Sequence, residues 1–431
     1  MQENDFLNAG IKSYLNCVHC GKCLPVCPTY NISLNEFYSP RGRVRLILTD
    51  NADTMPLGVS KVAEAMSTCL LCGRCVNICP NDVKIGDLII NEKIKLNKLN
   101  KLKNGTLFSL DKLALRTLKN KRKILLKSAL KFANIPIIEF LSKRYAPKPE
   151  GKSFITDRDY KFKPEGKRVN KNNLKVGYFS GCVFNSIYPQ ISEDTVSALI
   201  KNGVSVYVPA NQECCGLPFI SSGDISSFKD LALNNVNAFK DKDTDYIITS
   251  CASCSYSINK LYPLYFNKND GGYNDVLNFS KKLINIWSFF KIAEKMGMDI
   301  KIGELKNEVE AVFHIPCHLS NLSGFKPSSY NEGLIGEAGL IADKINGLKL
   351  KPLKHNYCCG NGGMFNIRHY DFSKGITRRK FEEIKEASPQ SILTSCSGCM
   401  FSLSDQRGIL KEKDTLPVNH LISIYAQSLK E

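Results

Sequence analysis

The pattern of apolar and polar positions changes along this chain of 431 residues. From about residue 173, short apolar runs alternate with segments of helical spacing. Residues 190–202 place Val196, Leu199 and Ile200 on one side, and Gly203 favours a helix end there. Alternation of this kind predicts α/β units with mainly parallel sheets, whose sites lie at the carboxyl ends of the strands.

The predicted strands occur in two sets of three. The first set is LKVGYFSGC, VSVYVPA and YIITSC, and the second is EAVFHIPC, LKLKPLKHNYCCG and SILTSCSGC. The interval from Cys214 to Cys358 is 144 residues, and TSCASC at 249–254 recurs as TSCSGC at 394–399. We therefore predict an internal duplication of about 140 residues, with α/β modules at 173–300 and 301–431.

Residues 93–172 are a basic connector and linker. Residues 93–168 contain 22 Lys and Arg against 6 Asp and Glu, nearly the whole formal net charge of +18. The stretch 106–145, rich in Leu and Lys, predicts a helix, and a Pro-, Gly- and Lys-rich linker with no core-building pattern follows. A solvated face, a peripheral contact with an anionic membrane surface and docking to an acidic partner are three interpretations. Nucleic-acid binding is not expected, because no recognised motif accompanies the charge.

The N-terminus, MQENDFLNAG, has no basic start and no apolar stretch, and the chain has no run long enough to span a membrane. The expected location is therefore cytoplasmic, with the cytoplasmic face of the inner membrane as the peripheral alternative. In such a reducing compartment, the 18 cysteines favour metal or redox chemistry over disulfides.

Residues 1–92 contain two identical cysteine runs, each with the spacing Cys-x2-Cys-x2-Cys-x3-Cys-Pro. In two-cluster ferredoxins the fourth cysteine of each run binds the other cluster. We therefore assign Cys17, Cys20, Cys23 and Cys79 to one 4Fe-4S cluster, and Cys69, Cys72, Cys75 and Cys27 to the other. Structural zinc is the alternative, but zinc sites are usually built from two pairs of ligands. This part is expected to be a helical two-cluster domain, so the whole chain is an α+β multidomain protein.

Each α/β module supplies five further cysteines: one after its first strand, an adjacent pair before Gly, and a final Cys-x-x-Cys. The first set is Cys182, Cys214, Cys215, Cys251 and Cys254, and the second is Cys317, Cys358, Cys359, Cys396 and Cys399. Five soft thiolates per site favour iron–sulfur centres or zinc over hard cations. The glycine after each pair lets the backbone turn sharply beside a centre.

Two ferredoxin-type runs followed by two C…CCG…CxxC modules resemble the CCG-domain iron–sulfur subunits of oxidoreductases. CVHCGKCLPVCPTY and SPRGRVRLI are similar to the glycolate oxidase iron–sulfur subunit. CPNDVKIGDLI, GCVFNSIYPQ and CCGLP resemble the iron–sulfur subunit of anaerobic glycerol-3-phosphate dehydrogenase. Five cysteines in both modules resemble heterodisulfide reductase subunits, in which such sets bind non-cubane clusters.

The resemblance implies an electron-transfer subunit of a flavin-dependent 2-hydroxy acid dehydrogenase, acting on glycolate or D-lactate and passing electrons toward quinone. Its partner would be an FAD-containing subunit, since no dinucleotide-binding fingerprint opens a helix in this chain. The alternatives are a glycerol-3-phosphate dehydrogenase subunit, or a heterodisulfide reductase-like subunit with catalytic CCG clusters. No catalytic residue is assigned. His314 and His318 are interpreted as hydrogen-bonding loop histidines, with a proton relay as the alternative.

Overall fold

The computed structural model describes residues 15–51, 58–99, 151–156, 158–164, 174–322, 336–406, 409–410 and 415–430. The stretch 106–145, with its predicted helix, lies outside these residues. Within the described part of the chain, no helix combines the length and apolar character that crossing a membrane requires.

The described N-terminal residues fold into short helices around the two cysteine runs. The helices are α1 (Pro28–Ser33), α2 (Pro40–Asn51), α3 (Val59–Ser67), α4 (Arg74–Asn77) and α5 (Ile85–Lys98), with a 3₁₀ turn at Glu36–Tyr38. Pro28 is the first residue of α1, directly after Cys27. Proline has no backbone N–H, and it is favoured here because the first N–H groups of a helix have no intrahelical partner. Val44, Ile47, Val62, Met66 and Ile89 are buried and form the core between α2, α3 and α5. Helix α5 continues six residues past the boundary predicted at residue 92.

The first module is a five-stranded sheet flanked by helices. Its strands are β1 (Tyr160–Phe162), β2 (Lys175–Tyr178), β3 (Ser205–Val208), β4 (Tyr246–Thr249) and β5 (Leu283–Asn285). Its helices are α6 (Gly181–Ser186), α7 (Pro189–Lys201), α8 (Leu217–Ile220), α9 (Ile225–Phe239), α10 (Ala252–Tyr256), α11 (Tyr262–Tyr265), α12 (Tyr273–Lys282) and α13 (Ile286–Lys295), with a π-helical turn at Ser257–Leu261. The strand order is β1-β3-β2-β4-β5, and all pairs except β1 with β3 are parallel.

The second module is a four-stranded parallel sheet. Its strands are β6 (Glu304–Phe313), β7 (Asn346–Lys351), β8 (Ser391–Thr394) and β9 (Val418–His420). Its helices are α14 (Cys317–Leu322), α15 (Gly336–Ala342), α16 (Phe365–Arg368), α17 (Tyr370–Ala387), α18 (Ser397–Ser404) and α19 (Leu421–Ser428). The order β7-β6-β8-β9 repeats the order β3-β2-β4-β5 of the first module, as an internal duplication predicts.

Two features differ from the sequence prediction. Strands β2 and β6 end at Tyr178 and Phe313, several residues before Cys182 and Cys317. These two cysteines lie in the first turn of helices α6 and α14 instead. Gly181 has a φ of +71°, so the backbone leaves the extended conformation before Cys182. The segment interpreted as linker also contributes β1, an antiparallel edge strand on β3. Its pairing depends on backbone hydrogen bonds and needs no apolar alternation.

The three parts of the chain are held together by hydrogen bonds from side chains. The Asn202 amide donates to the Tyr425 hydroxyl over 3.0 Å and accepts from the Lys301 N–H over 2.8 Å, joining the two modules. Lys93 Nζ donates to the Ser221 carbonyl over 3.1 Å, and Arg74 donates to the Asn356 carbonyl. The N-terminal helices therefore lie against loops of both modules.

Candidate metal centres

The first sulfur site, here called the first cavity, is lined by Cys17, Cys20, Cys23 and Cys79. Cys20 is exposed, so this cavity reaches the protein surface. The Cys79 sulfur accepts from the Val83 N–H over 3.4 Å. Burial raises the pKa of Cys23 to about 11, so binding a metal there must release its proton.

The second sulfur site, here called the second cavity, is lined by Cys27, Cys69, Cys72 and Cys75. Each run therefore contributes three cysteines to one cavity and its fourth to the other, the grouping that the spacing predicts. The Cys69 sulfur accepts from the Leu71 N–H over 3.4 Å. That each cavity holds one 4Fe-4S cluster stays a prediction.

The two cysteine loops have positive φ values at the same two positions. In the first loop His19 and Gly21 have φ values of +53° and +80°, and in the second Leu71 and Gly73 have +55° and +71°. A non-glycine residue at positive φ is strained, so its repetition at matching positions indicates that the loop shape is required. This backbone turns three closely spaced thiols toward one point.

The five cysteines of the first module lie together through sulfur–sulfur contacts. Cys182 Sγ donates to Cys214 Sγ over 3.7 Å. Hydrogen bonds from Cys214 and Cys254 hold the pKa of Cys215 well below its ordinary value, against the opposing effect of burial. Cys254 also donates to Cys251, which completes the group. All five except Cys182 are buried.

The five cysteines of the second module, Cys317, Cys358, Cys359, Cys396 and Cys399, line one pocket. Cys359 Sγ and Cys399 Sγ lie 3.2 Å apart and share a hydrogen bond. Donation from Cys358 and from Cys399 holds the pKa of Cys359 well below its ordinary value. Cys72 of the second cavity lines the same pocket, so the second cavity and the second-module site adjoin.

Comparison with known proteins agrees with these two kinds of site. Residues 13–83 match the 4Fe-4S dicluster domain, and residues 176–259 and 311–404 each match the cysteine-rich CCG domain. This chain belongs to the CCG-domain iron–sulfur subunit family. Its sheets are therefore two CCG modules joined to a ferredoxin-type domain.

Several relatives align with nearly the whole length of this CCG protein. One from Bacillus subtilis (strain 168), named Probable glycolate oxidase iron-sulfur subunit, is 27% identical over 90% of this chain and 88% of its own. A subunit of the anaerobic glycerol-3-phosphate dehydrogenase of Escherichia coli (strain K12) is 27% identical over 97% of this chain and 99% of its own. A subunit of the fumarate reductase (CoM/CoB) of Methanothermobacter marburgensis is 26% identical over 91% of this chain and 68% of its own.

Iron–sulfur groups fit the donor atoms of all four sites, because thiolates are the soft ligands that such clusters require. A buried cation beside the second cavity supports the same conclusion. Arg43 is 1% exposed and lines that cavity. Its partners among the described residues are neutral, namely the Ala65 and Thr68 carbonyls and the Thr29 and Thr68 hydroxyls. A buried positive charge needs compensation, and an anionic thiolate-ligated cluster would supply it.

The two CCG loops are fixed in the same way in both modules. Gly216 and Gly360 follow the cysteine pairs and have φ values of +81° and +84°. A Cβ on Gly216 would lie 2.6 Å from the Phe228 ring, and one on Gly360 would lie 2.6 Å from Thr377 Oγ1. The Ser257 hydroxyl donates to the Cys215 carbonyl over 2.7 Å, and Ser402 donates to the Cys359 carbonyl over 2.6 Å. The glycines are therefore required for close packing as well as for the turn.

Sequence reasoning did not single out several residues that the fold brings to these sites. Arg43 was part of a motif used only for the resemblance, and Lys93 was counted in the basic connector. Burial lowers the pKa of Lys93 to about 8, and its ammonium also donates to the Cys69 carbonyl over 3.2 Å. Ser253 and Ser397 lie inside the Cys-x-x-Cys loops, and nothing in their spacing indicated contact with the opposite module. The duplication gives no signal either, because its offset aligns Ser253 with Gly398 and Ser397 with Ala252.

Proposed function

We propose that this chain is the iron–sulfur electron-transfer subunit of a flavin-dependent 2-hydroxy acid dehydrogenase. Its FAD-containing partner would oxidise glycolate or D-lactate, and the electrons would pass toward quinone. Iron–sulfur clusters held by the cysteines would supply one-electron carriers at each site. The stretch 106–145 of the basic connector, which lies outside the described residues, would place the complex on the cytoplasmic face of the inner membrane.

One observation carries the relay part of the proposal: Cys72 lines both the second cavity and the pocket of the second CCG module. The second cavity is therefore continuous with the buried second-module site. The exchanged cysteines Cys27 and Cys79 link the second cavity to the first, where Cys20 is exposed. The two modules then meet at their Cys-x-x-Cys loops, where Cys396 donates to Cys251 and has its pKa raised to about 12. A series of adjoining redox sites suits electron transfer.

The experiment is to recover the full chain with its native partners under anaerobic conditions and to add one candidate donor at a time. We expect glycolate or D-lactate to reduce the clusters, seen as a decrease of their visible absorption, only when a flavin-containing partner is present. sn-Glycerol 3-phosphate is the matched alternative donor, suggested by the Escherichia coli relative. Reduction by glycerol 3-phosphate alone would reassign the substrate and leave the relay in place.

A second candidate function is disulfide reduction at the CCG modules. It is favoured by the complete set of five grouped cysteines in each module. The discriminating measurement is thiol release from a disulfide by the isolated chain with an artificial electron donor. Turnover without any flavoprotein would contradict the relay proposal, and its absence is the expected result.

A further inference from the structure

His314 is a buried histidine that faces the sulfur atoms of the second CCG module. A ring nitrogen of His314 and the sulfur atoms of Cys359 and Cys399 all lie within 4.8 Å of one another. The side chain is on the loop that leaves β6, and the residue is 2% exposed. The imidazole therefore lies inside the protein, next to the thiols.

The imidazole has no nitrogen or oxygen partner among the described residues, at either ring nitrogen. Buried polar groups are nearly always satisfied, so a buried ring whose nitrogens meet no partner other than the Cys359 sulfur requires an explanation. Neutral imidazole is the commonest protein ligand of metals. A metal held by the neighbouring thiolates would satisfy one nitrogen directly.

The first module differs at this position. His314 lies three residues before Cys317, and the residue three before Cys182 is Phe179. Phe179 is fully buried, and its ring centroid lies 6.3 Å from that of Phe239. The duplication therefore gives the same position an apolar side chain in one module and a nitrogen donor in the other.

We propose that His314 is a nitrogen ligand of the iron–sulfur centre in the second CCG module, and that the first module holds its centre by thiolates alone. The proposal rests on the part of the proposed function that places iron–sulfur centres in these modules. His314 would be a neutral donor in addition to the five cysteines that both modules share, and ligand identity is one of the features that set the reduction potential of such a centre. The two modules would then hold centres of different potential.

The test is pulsed EPR of the full chain, prepared with natural histidine and with ¹⁵N-histidine. The signal of the second module is first identified as the one that Cys359→Ser removes. Labelling is expected to change the nitrogen coupling of that signal from ¹⁴N to ¹⁵N, and His314→Phe is expected to abolish the coupling. The labelled wild-type protein needs no substitution, so the test survives a variant that does not fold.

Two further variants separate ligation from packing. His314→Cys restores a ligand, so it is expected to keep the iron that His314→Phe loses and to lower the midpoint potential. His318→Gln is the matched control. His318 is in α14 and lines the same pocket, but its Nδ1 shares a hydrogen bond of 3.0 Å with Ser253 Oγ and its ring stacks on Tyr256. Its loss should therefore leave the nitrogen coupling unchanged.

Three outcomes would overturn the proposal. The first is that the labelled protein shows no histidine coupling, and the second is that the coupling persists in His314→Phe. The third is that the chain binds stoichiometric zinc, which is lost in Cys359→Ser. Iron and sulfide analysis of the same samples separates this failure from that of the proposed function. Full iron content with no histidine coupling contradicts only the ligand assignment.

Discussion

The hydroxyl of Ser253 in the first CCG module lies 3.0 Å from the sulfur of Cys396 in the second. The reverse contact is also made, since the Ser397 hydroxyl lies 3.1 Å from the Cys251 sulfur. Each Cys-x-x-Cys loop therefore places a hydroxyl against the first cysteine of the other loop. The Ala252 N–H donates to the Ser395 carbonyl over 3.0 Å and holds the two loops in register.

These contacts predict that each module influences the potential of the other. A hydrogen bond to the Cys396 sulfur stabilises the more negative, reduced state of a centre, and replacing Ser253 by Ala removes that bond. At a net value of about 1 kcal/mol per hydrogen bond, the midpoint potential of the second-module centre should fall by about 20–60 mV. Anaerobic redox titration measures the shift.

Ser255→Ala is the matched control for this titration. Ser255 is on the same helix as Ser253 and fully buried, and its hydroxyl has no partner among the described residues. An equal shift in both variants would contradict an effect of the hydrogen bond and indicate a general change in packing.

The fourth cysteine of each ferredoxin-type run lines the cavity of the other run. Substituting one fourth cysteine should therefore remove one particular cluster and leave the other in place. Cys79→Ser should weaken the cluster of the first cavity, where Cys79 lies beside Cys17, Cys20 and Cys23. Cys27→Ser should weaken the other cluster instead. EPR of the reduced protein, with about four irons lost per chain in each variant, measures the effect. Loss of the Cys69 cluster in Cys79→Ser would show that each run binds its own cluster.

The glycines after the cysteine pairs predict a steric effect distinct from backbone strain. Gly360→Ala places a Cβ 2.8 Å from the Ser373 carbonyl oxygen as well as 2.6 Å from Thr377 Oγ1. A positive φ alone costs an alanine about 1–2 kcal/mol. The free energy of unfolding of Gly360→Ala should fall by more than this amount. Chemical denaturation followed by circular dichroism measures it.

Gly297→Ala is the control for the glycine prediction. Gly297 has a φ of +81°, and a Cβ there would meet nothing within 4 Å. This variant carries the backbone strain without the crowding. Equal destabilisation of both variants would show that packing around Gly360 contributes nothing.

The buried pair Lys380–Glu383 predicts a pH-dependent stability. Glu383 accepts from Lys380 Nζ over 2.9 Å and from the backbone N–H groups of His355, Asn356 and Tyr357, which immediately precede Cys358. Removing one partner of a buried ion pair costs about 3–5 kcal/mol, so Glu383→Gln should destabilise the protein and loosen the Cys358 loop. Denaturation and iron content measure the two effects.

The sign of the pH effect follows from the Lys380 ammonium. Burial lowers the pKa of Lys380 from 10.5 to about 8, despite the opposing charge of Glu383. Between these values the unfolded chain binds more protons than the folded chain, so this group makes stability rise with pH, by up to about 1.4 kcal/mol per unit. Lys380→Met lacks this dependence. A constant difference between Lys380→Met and wild type from about pH 7.5 to about pH 9.5, a range that spans the folded-state pKa, would contradict the prediction.

The basic connector predicts membrane binding that the described residues do not address. Deleting residues 106–145 should release the protein from anionic liposomes, because Leu, Ile and Phe interleave with Lys in this stretch. Co-sedimentation measures binding, and neutral liposomes are the control. Unchanged sedimentation of the deletion variant would contradict the membrane interpretation.

Much of the fold could be predicted because its signals are local. The apolar runs before Cys251 and Cys396 predict β4 and β8, and the strand-and-helix alternation predicts parallel sheets. The edge strand Tyr160–Phe162 could not be predicted, since its pairing partner β3 lies far along the chain, at Val206–Val208, and its own composition is that of a linker. The helical positions of Cys182 and Cys317 could not be predicted because the apolar runs continue past the last ladder hydrogen bond.

The sequence by itself determined the cysteine groupings, because short fixed spacings restrict where thiols can point and a duplicated motif repeats its geometry. Only the tertiary structure decided which groups adjoin. Cys72 meets the second-module pocket, Ser253 reaches Cys396, and His314 faces Cys359, through the packing of segments far apart in the chain. Such contacts depend on how whole elements fit together, and no local pattern encodes them.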